Sequence, residues 1–456
     1  MANKTDDRSA KQPGGGWSTE GLGYLQDEGA KQRVYVVHPY LRDRRETSHL
    51  KRSPEARLDE AMGLALAIDV DLVGGEVTHL RERRPATLIG VGKLDELKAM
   101  VEEEEIDLLI FDCELSPGQQ RNLERGTKCK VIDRTALILE IFGARASTKE
   151  GELQVELAHL EYQRSRLVRS WTHLERQRGG SGFMGGPGET QIEADRRIIA
   201  ERITRIKRQL EQVTRTRTLH RARRQKAPYP VVALVGYTNA GKSTLFNRLT
   251  KAEVLAEDML FATLDPTMRA LEMPSGKRII LSDTVGFISE LPTTLVAAFR
   301  ATLEEVCEAD IIVHVRDASH PDSEIQKLDV EEVLADLGVE ITEEGEGTPT
   351  IEALNKVDLM SEEEQVALVT KDDRIRHMAA LSGLTGEGCD RLIATIDDLL
   401  GTTDLHMELT VPYSDGATQA WLHANSSILR EEHGEEGVTF EFNVDPIAWA
   451  KFSQRH

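Results

Sequence analysis

Several patterns are scarce or missing in this sequence, and each shortage excludes a class of protein. The 456 residues contain four cysteines and no Cys-x-x-Cys pair, which argues against a disulfide framework and against a zinc site. No apolar run is long enough to span a bilayer, and a secretory signal core is missing. Acidic residues outnumber basic residues, which gives a formal net charge of −21. The composition therefore predicts a soluble cytoplasmic protein rather than a uniformly basic nucleic-acid binder.

Among the patterns that are present, the most informative is the loop Gly236-Tyr237-Thr238-Asn239-Ala240-Gly241-Lys242-Ser243. It fits the phosphate-loop spacing G-x-x-x-x-G-K-[ST]. A strand-like run, 231–235, precedes it, and a helix-compatible run from Thr244 to Leu249 follows it, as the motif requires. Its glycines allow backbone N–H groups to turn inward around phosphates. We expect Lys242 to reach the β- and γ-phosphates and the Ser243 hydroxyl to hold Mg²⁺.

A second motif, Asp283-Thr284-Val285-Gly286, ends a short apolar strand. At this distance from a phosphate loop, we expect the Asp to hold Mg²⁺ and the Gly286 N–H to meet the γ-phosphate. Between the two motifs lies Phe261-Ala262-Thr263-Leu264-Asp265-Pro266-Thr267. A threonine of this segment is expected to close over the γ-phosphate and to join Ser243 on the metal, as a switch that the triphosphate orders. The residues alone leave Thr263 and Thr267 as rival candidates.

A third motif, Asn355-Lys356-Val357-Asp358, follows another strand-like run. The Asp358 carboxylate can accept two hydrogen bonds from the edge of guanine, and adenine offers no matching pair of donors. Lys356 is expected to lie along the base, and Asn355 is expected to tie the pocket to the phosphate loop. A further segment, Ser382-Gly383-Leu384, is placed to bring a backbone N–H to guanine O6, although it departs from the usual Ser-Ala-Lys. Together the motifs predict a site for GTP.

Two positions bear on hydrolysis. Phe287 stands directly after the Asp-x-x-Gly glycine, where many GTPases carry a glutamine that orients water. Because phenylalanine cannot orient water by hydrogen bonding, we expect slow unassisted turnover that needs a partner or another group. Asn239 matches the asparagine of GTPases that use K⁺ in place of an arginine finger, and its alternative role is to stabilise the loop. We therefore expect K⁺ to speed hydrolysis more than Na⁺.

Residues 33–150 are predicted to form a separate α/β domain. Strand-like and helical patterns alternate there, at 34–37, 54–68, 107–112 and 130–133. Such alternation favours a parallel sheet. The segment Ile89-Gly90-Val91-Gly92-Lys93 resembles a small second phosphate loop, but its incomplete spacing favours a plain strand-to-helix turn.

Residues 151–227 carry two helical segments with matching apolar seams. The first seam is Leu153, Leu157, Leu160, Leu167, Trp171 and Leu174, and the second is Ile199, Ile203, Ile206, Leu210 and Val213. Their spacing predicts an antiparallel coiled-coil hairpin. The joining loop, 178–189, is rich in glycine, and we expect it to fold against a partner.

The second helix of this hairpin is strongly basic inside an acidic chain. Between residues 196 and 226 only Glu201 and Glu211 oppose the arginines and lysines. Basic clusters gain affinity by releasing counterions from phosphate backbones, so we expect RNA contacts here. The alternative is a solvated face balanced by acidic neighbours of the same chain. The candidate RNA contacts are Gly182, Gly185, Arg197, Arg205 and Arg208.

These segments predict an α/β protein in five parts. A disordered N-terminus (1–32) precedes the α/β N-terminal domain (33–150) and the helical coiled-coil hairpin (151–227). A P-loop GTPase domain (228–402) and a small α+β tail domain (403–456) follow. In the tail, 407–411 and 438–442 read as strands and 416–429 as a helix. The tail carries no recognisable chemistry, so we expect it to dock a partner or to cover a surface.

The arrangement resembles the HflX family of ribosome-associated GTPases. The segments that carry the resemblance are Ile89–Lys93, Leu115–Leu123, Ile132–Thr135, Arg145-Ala146, Leu153–Ala158, Gly188–Gln191 and Phe261–Thr267. The resemblance implies a GTPase that binds the large ribosomal subunit and separates stalled or idle ribosomes. It also implies that Thr263, rather than Thr267, binds Mg²⁺, and that the glycine-rich tip of the hairpin meets ribosomal RNA.

Two functions are therefore in view. The first is a monomeric GTPase switch that acts in ribosome splitting, rescue or biogenesis, and the alternative is an RNA-remodelling protein regulated by its GTPase domain. An adaptor for a protease or a membrane complex is a weaker third reading. We expect Ser243 and Thr263 to bind Mg²⁺ directly and Asp283 to bind it through water. The expected catalytic residues are Lys242, Thr263, Asp283, Gly286 and Asn239.

Overall fold

The structure is a computed structural model that describes most of the chain. The described residues are 31–41, 52–177, 187–224, 229–252, 260–261, 263–264, 266–290, 303, 305–339, 341–342, 347–372, 377–402, 405–434, 436–444, 449 and 452–453. Side chains are described for these residues except 168–177, 187–192, 214–224, 341–342, 369–372, 402, 424 and 427. The segment predicted to be disordered therefore lies almost wholly outside the described residues.

Strands and helices alternate in the N-terminal domain. The strands are β1 (Arg33–Leu41), β2 (Asp71–Leu80), β3 (Leu108–Phe111) and β4 (Lys130–Asp133). The helices are α1 (Pro54–Leu66), α2 (Val91–Glu103), α3 (Pro117–Thr127) and α4 (Arg134–Arg145). The strands form one parallel sheet in the order β2-β1-β3-β4. The predicted parallel α/β fold is confirmed.

Strand β2 was not predicted, because two glycines interrupt its pattern and glycine weakens a strand. Gly75 is required by a close approach: an added Cβ would lie 3.0 Å from Leu58 of α1 and 3.1 Å from the Val36 carbonyl oxygen. Helix α1 therefore rests directly on the sheet. Its first turn is fixed by the Ser53 side chain, which accepts a hydrogen bond from the Ala56 N–H.

The segment at 89–93 leads into α2, with Gly90 as the N-cap residue. The backbone before it is a turn closed by a bridge between Arg84 and Leu88. The predicted turn into a helix is therefore observed, but the predicted strand before it is not, because residues 84–88 form that turn.

Two long helices follow, α5 (Lys149–Gln177) and α6 (Pro187–Arg224). They pack together along the predicted seams, through Leu153, Leu157, Leu160, Ile199, Ile203, Ile206, Leu210 and Val213. The side chains of Trp171 and Leu174, and the whole glycine-rich tip at 178–186, lie outside what the structure describes. Among the helices it does describe, none has the length and apolarity to cross a bilayer.

The GTPase domain is built on a mostly parallel sheet. Its strands are β5 (Val231–Val235), β6 (Thr267–Glu272), β7 (Arg278–Asp283), β8 (Ile311–Asp317), β9 (Ile341–Thr342), β10 (Thr348–Asn355) and β11 (Met378–Ala380). The order is β11-β10-β8-β5-β7-β6, with β9 beside β10 and only β6 antiparallel to its neighbour. The described helices of this domain are α7 (Lys242–Thr250), α8 (Ser323–Asp336), α9 (Glu362–Asp372) and α10 (Cys389–Thr402). The carboxyl ends of the parallel strands meet at one edge, where such sheets bind ligands.

The tail domain is a three-stranded antiparallel sheet with one helix. The elements are β12 (Leu405–Val411), α11 (Gly416–Asn425), β13 (Ser426–His433) and β14 (Val438–Val444), and β14 is the central strand. The predicted helix at 416–429 is wrong in its second part, because residues from Ser426 onward pair with β14. Asn425, Ser426 and Ser427 are weak helix formers, so this pairing decides the local structure.

One apolar core crosses from the N-terminal domain into the GTPase domain. The ring of Phe142 in α4 meets that of Phe261 edge to face, with the ring centroids 4.8 Å apart. Phe287 and Ile288, which follow the Asp-x-x-Gly motif, belong to the same core. The segments that are expected to respond to nucleotide therefore pack directly on the N-terminal domain.

Candidate functional site

The phosphate loop joins β5 to α7 and requires its two glycines. Gly236 has φ +152°, and an added Cβ would lie 2.1 Å from the Val315 carbonyl oxygen. Gly241 has φ +87°, and an added Cβ would lie 2.2 Å from the side-chain nitrogen of Asn355. Neither contact tolerates a side chain, so the loop lies tightly between β8 and the end of β10.

Lys242 points into this loop and is 6% exposed. Its Nζ donates to the carbonyl oxygens of Gly236, at 3.1 Å, and Tyr237, at 2.8 Å. Burial lowers the pKa of Lys242 to about 8, although the nearby charge of Asp283 opposes the shift. A buried ammonium held by two carbonyl groups at a helix N-terminus is suited to meet an anion.

Three oxygen-bearing side chains converge beside the loop. Ser243 Oγ lies 2.7 Å from Thr263 Oγ1 and donates to Asp283 Oδ2 at 2.7 Å. Thr263 Oγ1 also donates to Asp283 Oδ2, at 3.1 Å. Thr267 begins β6, and among the described residues its hydroxyl forms no hydrogen bond with this cluster.

The cluster fits Mg²⁺. The second carboxylate oxygen of Asp283, Oδ1, is buried and has no hydrogen-bond partner in the described part of the chain. Burial raises the pKa of Asp283, and the hydrogen bond from Ser243 and the charge of Lys242 oppose the shift. Two hydroxyls and a carboxylate form the hard oxygen set that Mg²⁺ prefers.

The segment after the Asp-x-x-Gly motif is fastened to the phosphate loop. The Thr238 N–H donates to the Phe287 carbonyl at 2.7 Å, and the Phe287 N–H donates to the Gly236 carbonyl at 3.1 Å. An added Cβ on Gly286 would lie 3.1 Å from Lys242 Nζ, so Gly286 adjoins the predicted phosphate position. Within the motif, Thr284 and Val285 are both buried.

The residues predicted to read guanine lie at the carboxyl ends of β10 and β11. Asn355 Nδ2 donates to the Ala240 carbonyl at 2.8 Å, and Asn355 Oδ1 accepts from the Gly383 N–H at 2.8 Å. Lys356 Nζ lies 2.9 Å from Asp317 Oδ2. Asp358 is half-buried, and its carboxylate forms no ion pair or hydrogen bond with another residue that the structure describes. Asn355 thus joins the phosphate loop to the loop at Ser382-Gly383-Leu384.

Other predicted site residues have different surroundings. Phe261 and Leu264 are each 2% exposed and belong to the core shared between domains. Ala262, Asp265, Gly182 and Gly185 lie outside the described residues. Arg197, Arg205 and Arg208 are exposed on α6.

Comparison with known proteins decides the family. Three domain families match in order: "GTP-binding GTPase N-terminal" at 55–143, "GTP-binding GTPase Middle Region" at 145–224 and "50S ribosome-binding GTPase" at 231–356. Over 389 residues the chain is 50% identical to a protein named GTPase HflX from Magnetococcus marinus, which covers 85% of this chain and 88% of that protein.

The chain belongs to the HflX family of GTPases. It is also 42% identical over 428 residues to GTPase HflX of Escherichia coli, covering 93% of this chain and 96% of the relative. A GTP-binding protein of Sulfolobus solfataricus, solved with GDP, covers 81% of this chain and 98% of its own at 24% identity and a TM-score of 0.43. Family membership makes the chain a GTP-binding and GTP-hydrolysing enzyme.

In this HflX-family GTPase, Phe287 is 1% exposed and packs into the shared core. Its ring therefore lies away from solvent and cannot orient the attacking water. A cavity of about 580 Å³ opens beside the loop, between α1 and α8, and is lined by Thr238, Asn239, Arg52 and His320 among others. The cavity leaves room for a group from outside to reach the loop.

Sequence reasoning missed a buried polar network that joins the N-terminal domain to the phosphate loop. The Tyr237 hydroxyl accepts from Arg52 Nη1 and from the Ser289 N–H, both at 2.8 Å, and it donates to Glu60. Arg134 Nη2 donates to Glu60 at 2.6 Å and to the Ser289 carbonyl at 3.0 Å. No local spacing signals these contacts, because Glu60 and Tyr237 are 177 residues apart.

Proposed function

We propose that this HflX-family GTPase binds the large ribosomal subunit in its GTP state, separates stalled or idle ribosomes in the cytoplasm, and leaves after hydrolysis. The observation that carries the proposal is an arginine face on α6 that remains exposed in an acidic protein. The match of residues 231–356 to a family described as "50S ribosome-binding GTPase" supports the same partner.

Four basic residues of α6 fall into two groups. Arg202 and Lys207 form ion pairs with Glu156 and Glu161 of α5, so their charge is offset within the chain. Arg205 and Arg208 are exposed and have no ion pair with any residue that the structure describes.

The geometry of α6 supports RNA contacts by this second group. At about 100° per residue, Arg208 lies opposite the Ile203–Ile206 seam, and Arg205 is nearby on the same side. Arg197 also lies opposite the seam, where it forms an ion pair with Glu201 of the same helix at 4.0 Å. Arg205 and Arg208 therefore carry charge that is available to neutralise phosphates. Gly182 and Gly185 remain proposed RNA contacts at the tip.

The nucleotide site supplies the switch. Lys242 is assigned to the β- and γ-phosphates, the Gly286 N–H to the γ-phosphate, and Asp358 to the guanine edge. Mg²⁺ held by Ser243 and Thr263, with Asp283 behind them, would neutralise phosphate charge. Thr263 lies in the same segment as Phe261, whose ring packs on Phe142 of α4. Ordering of this segment by GTP would therefore change its contacts with the N-terminal domain.

The ribosomal role is tested by cosedimentation with ribosomal subunits, in a non-hydrolysable GTP analogue and in GDP. We expect enrichment on large subunits with the analogue. The double variant Arg205→Ala/Arg208→Ala should bind more weakly and lower the slope of log K against log salt by about one to two units. The matched control, Arg202→Ala/Lys207→Ala, removes the same charge from paired positions and should change the slope less.

Two results would contradict this role. Equal losses in the two double variants would show that α6 acts through overall charge alone. Binding to free RNA that ignores nucleotide and shows no preference for large subunits would support the alternative, an RNA-remodelling protein regulated by its GTPase domain.

We also propose that K⁺ completes the hydrolysis site beside Asn239. Asn239 has φ +60° and lines the cavity next to the phosphate loop. We expect KCl to raise the hydrolysis rate about tenfold over NaCl of equal ionic strength, a small part of what an arginine finger supplies. Asn239→Gly keeps the backbone conformation while removing the amide, and it should abolish the difference. Equal rates of the unaltered protein in both salts would rule out a K⁺ site.

A further inference from the structure

One arginine of α7 holds the loop that follows β11, and none of the nucleotide contacts assigned above uses it. Arg248 Nε donates to the Gly383 carbonyl at 3.2 Å, and Arg248 Nη2 donates to the Leu384 carbonyl. The stem of Arg248 lies beside Gly386, where an added Cβ would come within 3.7 Å of its Cδ. Two adjacent carbonyl groups of the loop are therefore bound by one guanidinium, whose planar fork suits such a pair of contacts.

The loop has little freedom to adopt another position. An added Cβ on Gly383 would lie 3.2 Å from the backbone of Leu245, so the loop approaches α7 more closely than an alanine comfortably allows. The Ser382 N–H donates to the Glu387 carbonyl at 2.9 Å, and the Gly386 N–H donates to the Ser382 carbonyl at 2.8 Å. The loop is closed on itself and placed by α7, the helix that begins at Lys242.

The same loop exposes two groups of Leu384, its backbone N–H and its side chain. The Gly383 N–H is occupied by Asn355 Oδ1, whereas the Leu384 N–H has no acceptor among the described residues. The Leu384 side chain is 68% exposed, although it adjoins the Asn355–Asp358 motif. A bound purine would use both groups. Its carbonyl oxygen would accept a hydrogen bond from the free N–H, and its ring face would cover the exposed apolar side chain.

We propose that Arg248 is a positioning residue for guanine, which fixes the Gly383-Leu384 backbone so that the Leu384 N–H meets O6 and the Leu384 side chain covers one face of the base. The proposal rests on the GTP site described above and deepens it. It also accounts for the departure from Ser-Ala-Lys at 382–384, because Arg248 holds the loop from outside and glycine permits its close approach to α7.

The test compares the binding of GDP with that of 6-thio-GDP, in which sulfur replaces O6 and is a weak acceptor. The unaltered protein should bind 6-thio-GDP several-fold more weakly than GDP. Arg248→Ala should weaken GDP binding about tenfold, which corresponds to the loss of one positioned hydrogen bond, and should leave little difference between the two ligands. Arg248→Lys should be intermediate because it cannot hold both carbonyl groups. The matched control is Arg269→Ala, at an exposed arginine on β6.

If Arg248 positions the loop for O6, Arg248→Ala should have a larger effect on GDP than on 6-thio-GDP. If Arg248 only supports the fold, the effect on the two ligands should be equal. If Arg248→Ala weakens both ligands by the same factor, or weakens neither, the proposal is overturned. Leu384→Ala provides an independent check at an exposed position: it should weaken both ligands by a few fold and preserve their ratio, because the backbone N–H remains. Unchanged binding in Leu384→Ala would refute the assigned contact with the base. These outcomes do not depend on ribosome binding, so the ribosomal role can fail while Arg248 keeps its assignment.

Discussion

Lys242→Ala is expected to lower the single-turnover rate of GTP hydrolysis by about 10²- to 10³-fold, the cost of removing one preorganised charge-stabilising group. The Lys242 ammonium is buried inside the loop, where it donates to the carbonyl groups of Gly236 and Tyr237. A triphosphate would replace these neutral partners with anionic oxygens and so form stronger, charge-assisted hydrogen bonds. Because Phe287 contributes nothing to orienting water, the site has few other groups to compensate.

The measurement is the hydrolysis of GTP at saturating protein, with the melting temperature as a check on folding. Arg278→Ala is a suitable control, since Arg278 is exposed at the start of β7, the strand that ends in Asp283. Alanine at 242 relieves the burial of a charged group, so we expect the variant to stay folded. Turnover close to that of the unaltered protein would remove Lys242 from its assigned role.

The residues of the phosphate site could be predicted because short sequence motifs determine most of their contacts. The run 231–235 forms the predicted strand, and Lys242–Thr250 forms the predicted helix. In such a fold, the carboxyl ends of parallel strands meet at one edge. The bond from Asn355 to the Ala240 carbonyl could therefore be anticipated although 115 residues separate the two. Here a local motif and the order of strands together determine the geometry.

Other features depend on contacts that no local pattern records. Gly74 and Gly75 weaken the pattern of β2, and the need for glycine at position 75 becomes visible only when α1 is packed on the sheet. Residues 426–429 are compatible with a helix until β14 is present to pair with them. Arg248 resembles any exposed helical arginine until the 382–388 loop is placed against it. Propensity is overridden wherever a distant segment supplies the hydrogen bonds or the close contact.

The junction between the N-terminal domain and the GTPase domain is the most extensive feature that no local sequence pattern records. Glu60 of α1 contacts Arg52, Arg134, Tyr237 and Ser289, so a single carboxylate joins the N-terminal domain to both the phosphate loop and the segment after the Asp-x-x-Gly motif. Its side chain is 10% exposed, and those of Arg52 and Arg134 are 4% and 7% exposed. Charges this far from water are stable only while each retains its partners.

Glu60→Gln is therefore expected to lower the free energy of unfolding by about 3 kcal/mol, the lower end of the cost of removing one partner from a buried ion pair. Asp59→Asn is the matched control: Asp59 is the neighbouring carboxylate on α1 and is exposed, so its loss should cost no more than about 0.5 kcal/mol. Denaturant unfolding of both variants makes the comparison. Similar midpoints for the two would show that the network does not hold the domains together.

The pH dependence provides a second measurement of the same effect. Burial disfavours the charged form of Glu60, but the guanidinium groups of Arg134 and Arg52 outweigh burial and hold the pKa of Glu60 below its ordinary value of 4.5. Since the pKa is lower in the folded than in the unfolded chain, ionised Glu60 stabilises the fold above pH 4.5, and this contribution is lost as the pH falls through the folded pKa. The stability difference between the unaltered protein and Glu60→Gln should therefore be constant near neutral pH and shrink below that value. A difference that persists unchanged into acid would mean that glutamine disturbs packing rather than charge.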